Sequence, residues 1–449
     1  MAGVISIGGL ATGLDTNTIV DKLVALERRP IDLLTQDFDR VDANKSSIGE
    51  LSSRLTAVQT AAKALSTTAG VLVRKATSSN DSVLSAAAGE GADRASAAIT
   101  VTQLARGSVS TSTIGLGSAT ATVASGAGTF SFQVGTGSVQ SVSVDATTTL
   151  QGLAGSINEL NAGVTASVVN LGTGATPDYR LALSSSTTGA SSTVTVLHDD
   201  TALAVQTTQT GQNAQFTVAG FTGTFERETN TVTDVLTGVT LSLKATGTAT
   251  VAVNDDTDAI VAKVKALVGA FNSAVSFVKQ EATIGQTKNG SDLQLGTLAA
   301  DSSARRVIDQ LHGIFSSAIT GASGQYVNLS SLGMATTKEG TIALNEATFR
   351  TALASDATGV AQVFAGNGTA SGIATDLADF ARQATQAGGL LDIRTHTLDE
   401  TERSIQDQID TRQRALDAFR VDLQHQFTSL ENLVNSLKTQ GSFLSSAFK

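Results

Sequence analysis

The side chains that could do chemistry in this chain are few and scattered. The histidines are His198, His312, His396 and His425, each in a different stretch. His396 and Glu400 stand four residues apart, which puts both on one helix face and could hold a metal ion; the same spacing also makes an ordinary exposed pair. Asp255, Asp256 and Asp258 form an acidic cluster. They lack the glycine and distal glutamate of a calcium loop, and they stand where a helix is expected to begin, so capping and the helix dipole account for them. Gly8, Gly9 and Gly13 make no phosphate cradle, because no strand precedes them and no Gly-Lys-Ser/Thr follows. The chain has no cysteine, hence no thiolate nucleophile, disulfide or cysteine-based zinc site. No catalytic, cofactor-binding or metal constellation emerges, and the reading is of a non-enzymatic protein that needs no cofactor.

The elements that organise the chain lie at its two ends. An apolar seam steps four, three, four, three through Ile405, Ile409, Leu416, Phe419, Leu423, Leu430, Leu433 and Leu437, interrupted by Arg412 and Gln426. Polar residues at such positions either fix register or lie where the coil opens to water. Near the other end Val41, Ile48, Leu51, Leu55, Val58, Ala62 and Leu65 keep the same spacing. Two long amphipathic helices bracketing a middle without that period predict a paired stem carrying a head, the plan of a self-assembling protein. Asp15 or Thr16 caps a first helix from about Asn17, and Pro30 opens the next helix or kinks a continuous one. The terminal helix starts near Leu391 and stops at Gly441, with Phe443, Leu444 and Phe448 forming an apolar tail beyond it.

Between about Ala76 and Val253 the period falls to two. Phe130, Phe132 and Val134 alternate with polar residues, as do Val142 with Val144, Val164 with Ala166, Leu181 with Leu183, and Val239 with Leu241. Short alternating stretches separated by Gly and Ser clusters predict antiparallel sheet with one wet face. Leu150, Leu153, Ile157 and Leu160 add one helix. Helices return near Asp256, over 300–319, 346–365 and 370–388, with a hairpin around Gly333 to Leu344.

The net charge of −10 and the sequence pI of about 4.9 argue against nucleic acid and against an anionic membrane surface as partners. No stretch reads as a bilayer span or a cleaved secretory signal. The absence of cysteine and the two prolines suit a chain exported unfolded to an oxidising exterior, where few slow X-Pro bonds delay refolding.

Several segments carry a family resemblance. Residues 6–31, with Gly9, Leu10, Thr12, Gly13, Leu14, Asp15 and Arg29-Pro30, resemble the amino-terminal signature of the flagellar filament-capping proteins, hook-associated protein 2 (the FliD family). Residues 99–108 are similar to the family's next strand through Gln103, Leu104 and Ala105. Residues 228–244 are similar to its Asn-Thr-x-x-Asp-x-x-x-Gly-Val-Thr segment through Asn230, Thr231, Asp234, Gly238, Val239 and Thr240. Residues 332–353 and the terminal coil ending in FLSSAF extend the likeness, with Ile342 where the family usually has Leu. The resemblance implies a stool-like subunit in a homo-oligomeric ring at the tip of the growing flagellum. It implies flagellin, hook-filament junction proteins and a flagellar export chaperone as partners, and secretion by the flagellar type III apparatus.

The expected fold is therefore α+β and multidomain: a coiled-coil stem from paired terminal helices, a helical domain, and two β-rich head domains nested by insertion. A flexible N-terminal leg is expected over 1–40, the helical and stem domain over 41–75 with 255–449, one head domain over 76–110 with 205–254, and an inserted one over 111–204. Gly8, Gly9, Leu10, Gly13, Leu14 and Asp15 are expected to meet the filament, and Phe443, Leu444 and Phe448 to serve a chaperone or assembly contact. Val41, Ile48, Leu51, Leu55 and Val58 are expected to close the seam on the terminal helix. The functional expectation is an extracellular filament cap. A surface adhesin binding host glycans or mucus through the head, and another flagellar axial junction protein, remain as alternatives.

Overall fold

The structure is a computed structural model, and it describes residues 15–286, 293–319 and 325–447. Helix α1 runs Thr16–Lys63 and α2 Thr68–Val71. Strands β1 (Arg74–Ser78), β2 (Leu84–Ala88), β3 (Ala95–Gln103), β4 (Val109–Ser112), β5 (Gly128–Val134) and β6 (Gln140–Val144) precede α3 (Leu150–Glu159). Next come β7 (Val164–Asn170), β8 (Tyr179–Ser185), β9 (Val194–Asp199), β10 (Val205–Gln209), β11 (Ala214–Val218) and β12 (Phe225–Arg227). They are followed by β13 (Thr231–Val232), β14 (Val239–Leu243) and β15 (Gly247–Asp255). The return to helix brings α4 (Thr257–Glu281), hairpin strands β16 (Ile284–Gln286) and β17 (Leu293–Leu295), and α5 (Ser302–Phe315). Hairpin β18 (Met334–Thr336) and β19 (Ile342–Leu344), α6 (Glu346–Ala365), α7 (Ile373–Thr385) and α8 (Leu390–Ala447) complete the chain. The architecture is α+β and multidomain, as expected.

The chain forms two compact units: residues 1–71 with 261–449, and residues 72–260, so the second is inserted into the first. In the helical unit, Ile48, Leu51, Leu55, Val58, Ala62 and Leu65 are all fully buried. They belong to a body with α7 and α4, where the Arg54 guanidinium bonds Ser273 and lies 4.7 Å from the Phe277 ring centre. Phe271 anchors that body, its ring centre 5.1 Å from Phe315 and 5.5 Å from His312. By length and composition α4 is apolar enough to cross a membrane, which corrects the expectation that no stretch is. Its apolar residues Ile260, Val264, Leu267, Phe271 and Val278 are instead buried in protein.

The inserted unit holds two separate cores. One sheet has the order β1-β15-β3-β11-β12 and a second β13-β14-β2; they share a core of Ile99, Val101, Phe216, Leu241 and Val251. The other core, around Phe130, Phe132, Leu153, Ile157 and Leu181, lies among sheets β10-β4-β8-β7 and β6-β5-β9 and helix α3. Strands β4 and β10 pair with each other, and β4 pairs with β8. The boundary between the β bodies therefore falls outside the expected 110/111 and 204/205, near the Arg106–Gln212 bridge. Ser108, just before β4, and Ser110 and Ser112 within it are buried at alternate positions. The Ser110 and Ser108 hydroxyls bond the Val194 carbonyl and N–H of β9, so side chains join the two sheets where no backbone ladder runs, while Ser110 also bonds Thr207 and Ser112 accepts from the Leu181 N–H within β4's own sheet.

Two element boundaries differ from expectation. Helix α1 is continuous through Pro30, so the flexible segment expected over 1–40 is ordinary helix from Thr16 onward. The ring forfeits the bond to the carbonyl of residue 26, and packing of Val20, Val24 and Ile31 on one face holds the helix across the gap. Helix α8 likewise runs through Gly441. Glycine stops a helix when it turns left-handed, and Gly441 is not among the glycines of positive φ.

Candidate assembly surface

The stem is built where α1 and α8 run antiparallel. Asp15 caps α1 by accepting from the Thr18 backbone N–H at 3.1 Å. The Thr18 hydroxyl also donates to it, and these bonds hold its carboxyl below the usual carboxylate range. Two turns in, Val20 and Val24, then Ile31, pack with Leu416 and Leu423 into a small buried cluster, flanked by half-buried Ile409 and Phe427. Arg420 reaches Asp21 at 3.2 Å across the pair. Farther along α1, Lys45 Nζ meets Glu402 at 2.6 Å and Asp399 at 3.0 Å. Hydrogen bonds that Lys45 donates to Glu402 and then to Asp399 raise the Lys45 pKa, and the bond from Lys45 holds Asp399 below the usual carboxylate range.

The partners in this seam differ from those expected. Ile48, Leu51, Leu55 and Val58 are buried in the helical body, and the α1 residues that share a cluster with Leu416 and Leu423 are Val20, Val24 and Ile31. Val41, Ile405 and Ile409 are half-buried. The signal was present: residues 20, 24, 27, 31, 34, 38, 41, 45 and 48 keep a four-three step straight across Pro30. Taking the α1 seam only from Val41 onward leaves out Val20, Val24 and Ile31, the part that shares a cluster with α8. Lys45 is a polar residue at a seam position, as Glu27 is, while Arg412 and Gln426 are both exposed.

Beyond the cluster, α8 continues with its apolar residues uncovered. Leu430 is 42% exposed, Leu433 and Leu437 56%, Phe443 73% and Leu444 55%. Phe419 lies at the edge of the stem at 36%. On α1, Leu23, Leu26 and Leu33 also face solvent. Such a concentration of exposed large apolar side chains marks an interaction surface. Gly8, Gly9, Leu10, Gly13, Leu14 and Phe448 lie outside the described residues.

Several of the side chains first weighed for chemistry have structural partners. His396 approaches Asp392 at 3.6 Å, one turn before it on α8, rather than the expected Glu400 one turn after it. Asp255 pairs with Arg74 and Arg94, and Asp256 caps α4 by accepting from the Ala259 N–H at 3.0 Å. Among the described residues no group of three or more His, Asp or Glu is placed to hold a metal. The signature around Asn230 is also structural. Its amide accepts from the Ala105 N–H at 2.8 Å and donates to the Ala105 carbonyl at 2.9 Å. Asp234 pairs with Arg227 at 2.8 Å. Gly238, at φ +71°, leaves no room for a side chain, since a Cβ there would lie 2.8 Å from Ala92 Cα.

A helical body, a two-helix stem with exposed leucines, and an inserted unit of two β bodies are the parts this chain brings together. The chain belongs to the flagellar hook-associated protein 2 family: the family's C-terminus matches residues 211–439 and its N-terminus residues 12–108. A flagellin hook IN motif matches residues 129–187. The chain is similar to the B-type flagellar hook-associated protein 2 of Pseudomonas aeruginosa, 28% identical over 98% of this chain and 95% of that one. It is also 28% identical to flagellar hook-associated protein 2 of Escherichia coli K12, over 100% of this chain and 99% of the relative. The crystal structure of the D1-D2-D3 domains of the Escherichia coli flagellar cap protein FliD superposes with a TM-score of 0.64 at 27% identity. It covers 79% of this chain and 99% of that one.

Proposed function

We propose that this protein caps the distal end of the bacterial flagellar filament, as an oligomer seated on flagellin. The likeness of 79% of this chain to a flagellar cap protein of known structure, with a full-length likeness to a flagellar hook-associated protein 2, carries the reading. The stem supports it: its uncovered leucines are what a subunit needs if its legs must find partners on a growing end. The work is steric and conformational. A closed ring keeps exported flagellin from diffusing away and holds a space in which it folds and inserts.

The finer reading adds three elements. Gly8 to Asp15 and the apolar end of α8 meet the filament or the hook-filament junction proteins. A flagellar export chaperone covers the apolar end of α8 before export. The chain leaves through the flagellar type III apparatus and works outside the cell at the filament tip. The test is deletion of the gene with complementation, reading flagellin monomer in the medium and filaments on cells. Leaked flagellin with short or absent filaments, both restored by complementation, is the expected result; normal filaments without leakage reject the capping role.

A further inference from the structure

Strand β7 lies at the rim of its sheet and pairs on one side only, with β8. Its ladder bonds fix which way each residue turns. The Ser186 N–H donates to the Gly163 carbonyl at 2.9 Å and the Leu171 N–H to the Asp178 carbonyl at 2.8 Å, with an unshifted register between them. Bonded and non-bonded pairs alternate in an antiparallel ladder, so the odd-numbered residues bond β8, while Val164, Ala166, Val168 and Asn170 turn their N–H and C=O groups outward. The rim reads Val-Thr-Ala-Ser-Val-Val-Asn-Leu over 164–171, without charge, proline or glycine. On its outer face Val169 is 42% exposed and Leu171 65%. An uncharged, β-prone and partly apolar edge is a template for a further strand.

One side chain stands in the way. Asn158, in the last turn of α3, donates from Nδ2 to the Ala166 carbonyl at 2.9 Å and accepts from the Ala166 N–H at 2.7 Å. Its carboxamide thus occupies both outward groups of Ala166, as the backbone of a neighbouring strand would. Leu150, Leu153 and Ile157 anchor α3 and are fully buried, so the amide is held at the rim although Asn158 itself is exposed. The helical unit repeats the arrangement. In the β18–β19 hairpin the Thr337 N–H bonds the Thr341 carbonyl at 2.7 Å, which turns Ile342 outward. Asn272 of α4 donates to the Ile342 carbonyl at 2.8 Å and accepts from its N–H at 2.6 Å. Ile342 is buried, so that pair only fastens the hairpin within its body. The pair at Ala166 sits on an open rim, beside the outward-turned Val168.

We propose that Asn158 is an edge guard: it denies β7 to the same strand of a second copy of this chain, a role that stands apart from the capping reading. The chain's lack of cysteine allows a spin label at Ser167→Cys, an exposed β7 position, in the full chain. Asn158→Ala should raise exchange of the Ala166 amide about tenfold. It should also raise self-association, read by light scattering against concentration, at least about fivefold over the parent. Labels in the associated species should report short distances between chains, since paired strands lie about 5 Å apart. Adding Val169→Lys to Asn158→Ala should return association to the parental level, because a charge on an edge opposes pairing. Asn158→Asp, which keeps the bond from the Ala166 N–H and adds a charge, should stay at that level. Faster Ala166 exchange without added association would overturn the proposal and leave Asn158 as a fastener of α3. Added association with the labels far apart, or indifferent to Val169→Lys, would overturn it as well. Should Asn158→Ala lose protection throughout 107–211, Asn158→Ser is judged by the same outcomes.

Discussion

The inserted β unit and the stem handle apolar surface in opposite ways. In the β unit the large rings Phe130, Phe132 and Phe216 are fully buried, and polar groups inside are matched by side chains shaped to the backbone, such as Asn230 on Ala105 and the serines of β4. A similar clasp, Asn158 on Ala166, occupies the N–H and carbonyl of a residue on edge strand β7. The stem buries five apolar residues in its cluster and leaves Leu430, Leu433 and Leu437 in water. The β bodies close on themselves; the stem leaves large apolar side chains exposed. A folded protein tolerates that exposure when the surface has a partner.

The sharpest test of closure is in the β unit. Phe132→Ala removes a fully buried ring and should destabilise the inserted body by about 3–5 kcal/mol. Because the chain has more than one unit, a single global value is ill-defined, and the effect is best read as amide exchange over 107–211 against exchange in α4. Equal loss in both regions would show that the units unfold together. Asn230→Ala should cost less, about 1–3 kcal/mol, by leaving the Ala105 N–H and carbonyl without partners. The reporter is the Ala105 amide, whose exchange should rise first. An unchanged rate there would mean that water replaces the clasp at no cost.

Acid should act next, at the Lys45 ion pairs of the stem. Asp399 has its pKa depressed in the folded protein by Lys45, so the stabilisation is present above its ordinary value of 3.8 and is lost as pH falls through the lower folded value. Lys45 is raised, so its share is present below 10.5 and lost as pH rises past the higher folded value. Stem exchange should therefore be flat from about pH 5 to pH 9 once corrected for its intrinsic rate, and rise on the acid side first. In Lys45→Met the acid response of residues 16–40 should shrink; an identical response would place the acid-sensitive groups elsewhere.

The contrast between the two regions also decides what the sequence made legible. Strand alternation around Phe130, Val142, Val164 and Leu181 is read directly from burial on one face, and the structure places strands there. The boundary of the inserted body was missed at β4 because the buried face there is Ser108, Ser110 and Ser112, which look like a wet edge until the opposing carbonyls are known. The heptads of α8 were legible, but their partner was not. Ile48 to Val58 carry the same period as Val20 to Ile31, and period alone does not say which part of α1 faces a bundle and which faces one helix. Lys45 was invisible as a site because a lysine at a seam position gains meaning only from Asp399 and Glu402, more than three hundred residues away.

The smallest effect on stability should come where the effect on function is greatest. Leu433 and Leu437 are each 56% exposed on a helix that has no covering element over them among the described residues. Replacing both by Ser removes little buried area, so the free protein should keep its melting profile within about 0.5 kcal/mol. The same pair of changes removes the apolar contact by which the stem would seat on a partner. Cells carrying the double variant in place of the parent should leak flagellin and bear short filaments, with the variant itself secreted at parental levels. The level of secreted variant separates an assembly defect from an export defect, since a lost chaperone contact lowers it. Full-length filaments would show that the leucines beyond residue 430 are incidental, and would shift the assembly surface to Leu23, Leu26 and Leu33 on α1, the other exposed leucines of the stem. A loss of stability well above the expected limit would instead mean that α8 is covered within the subunit, and the distinction between a closed head and an open stem would fall.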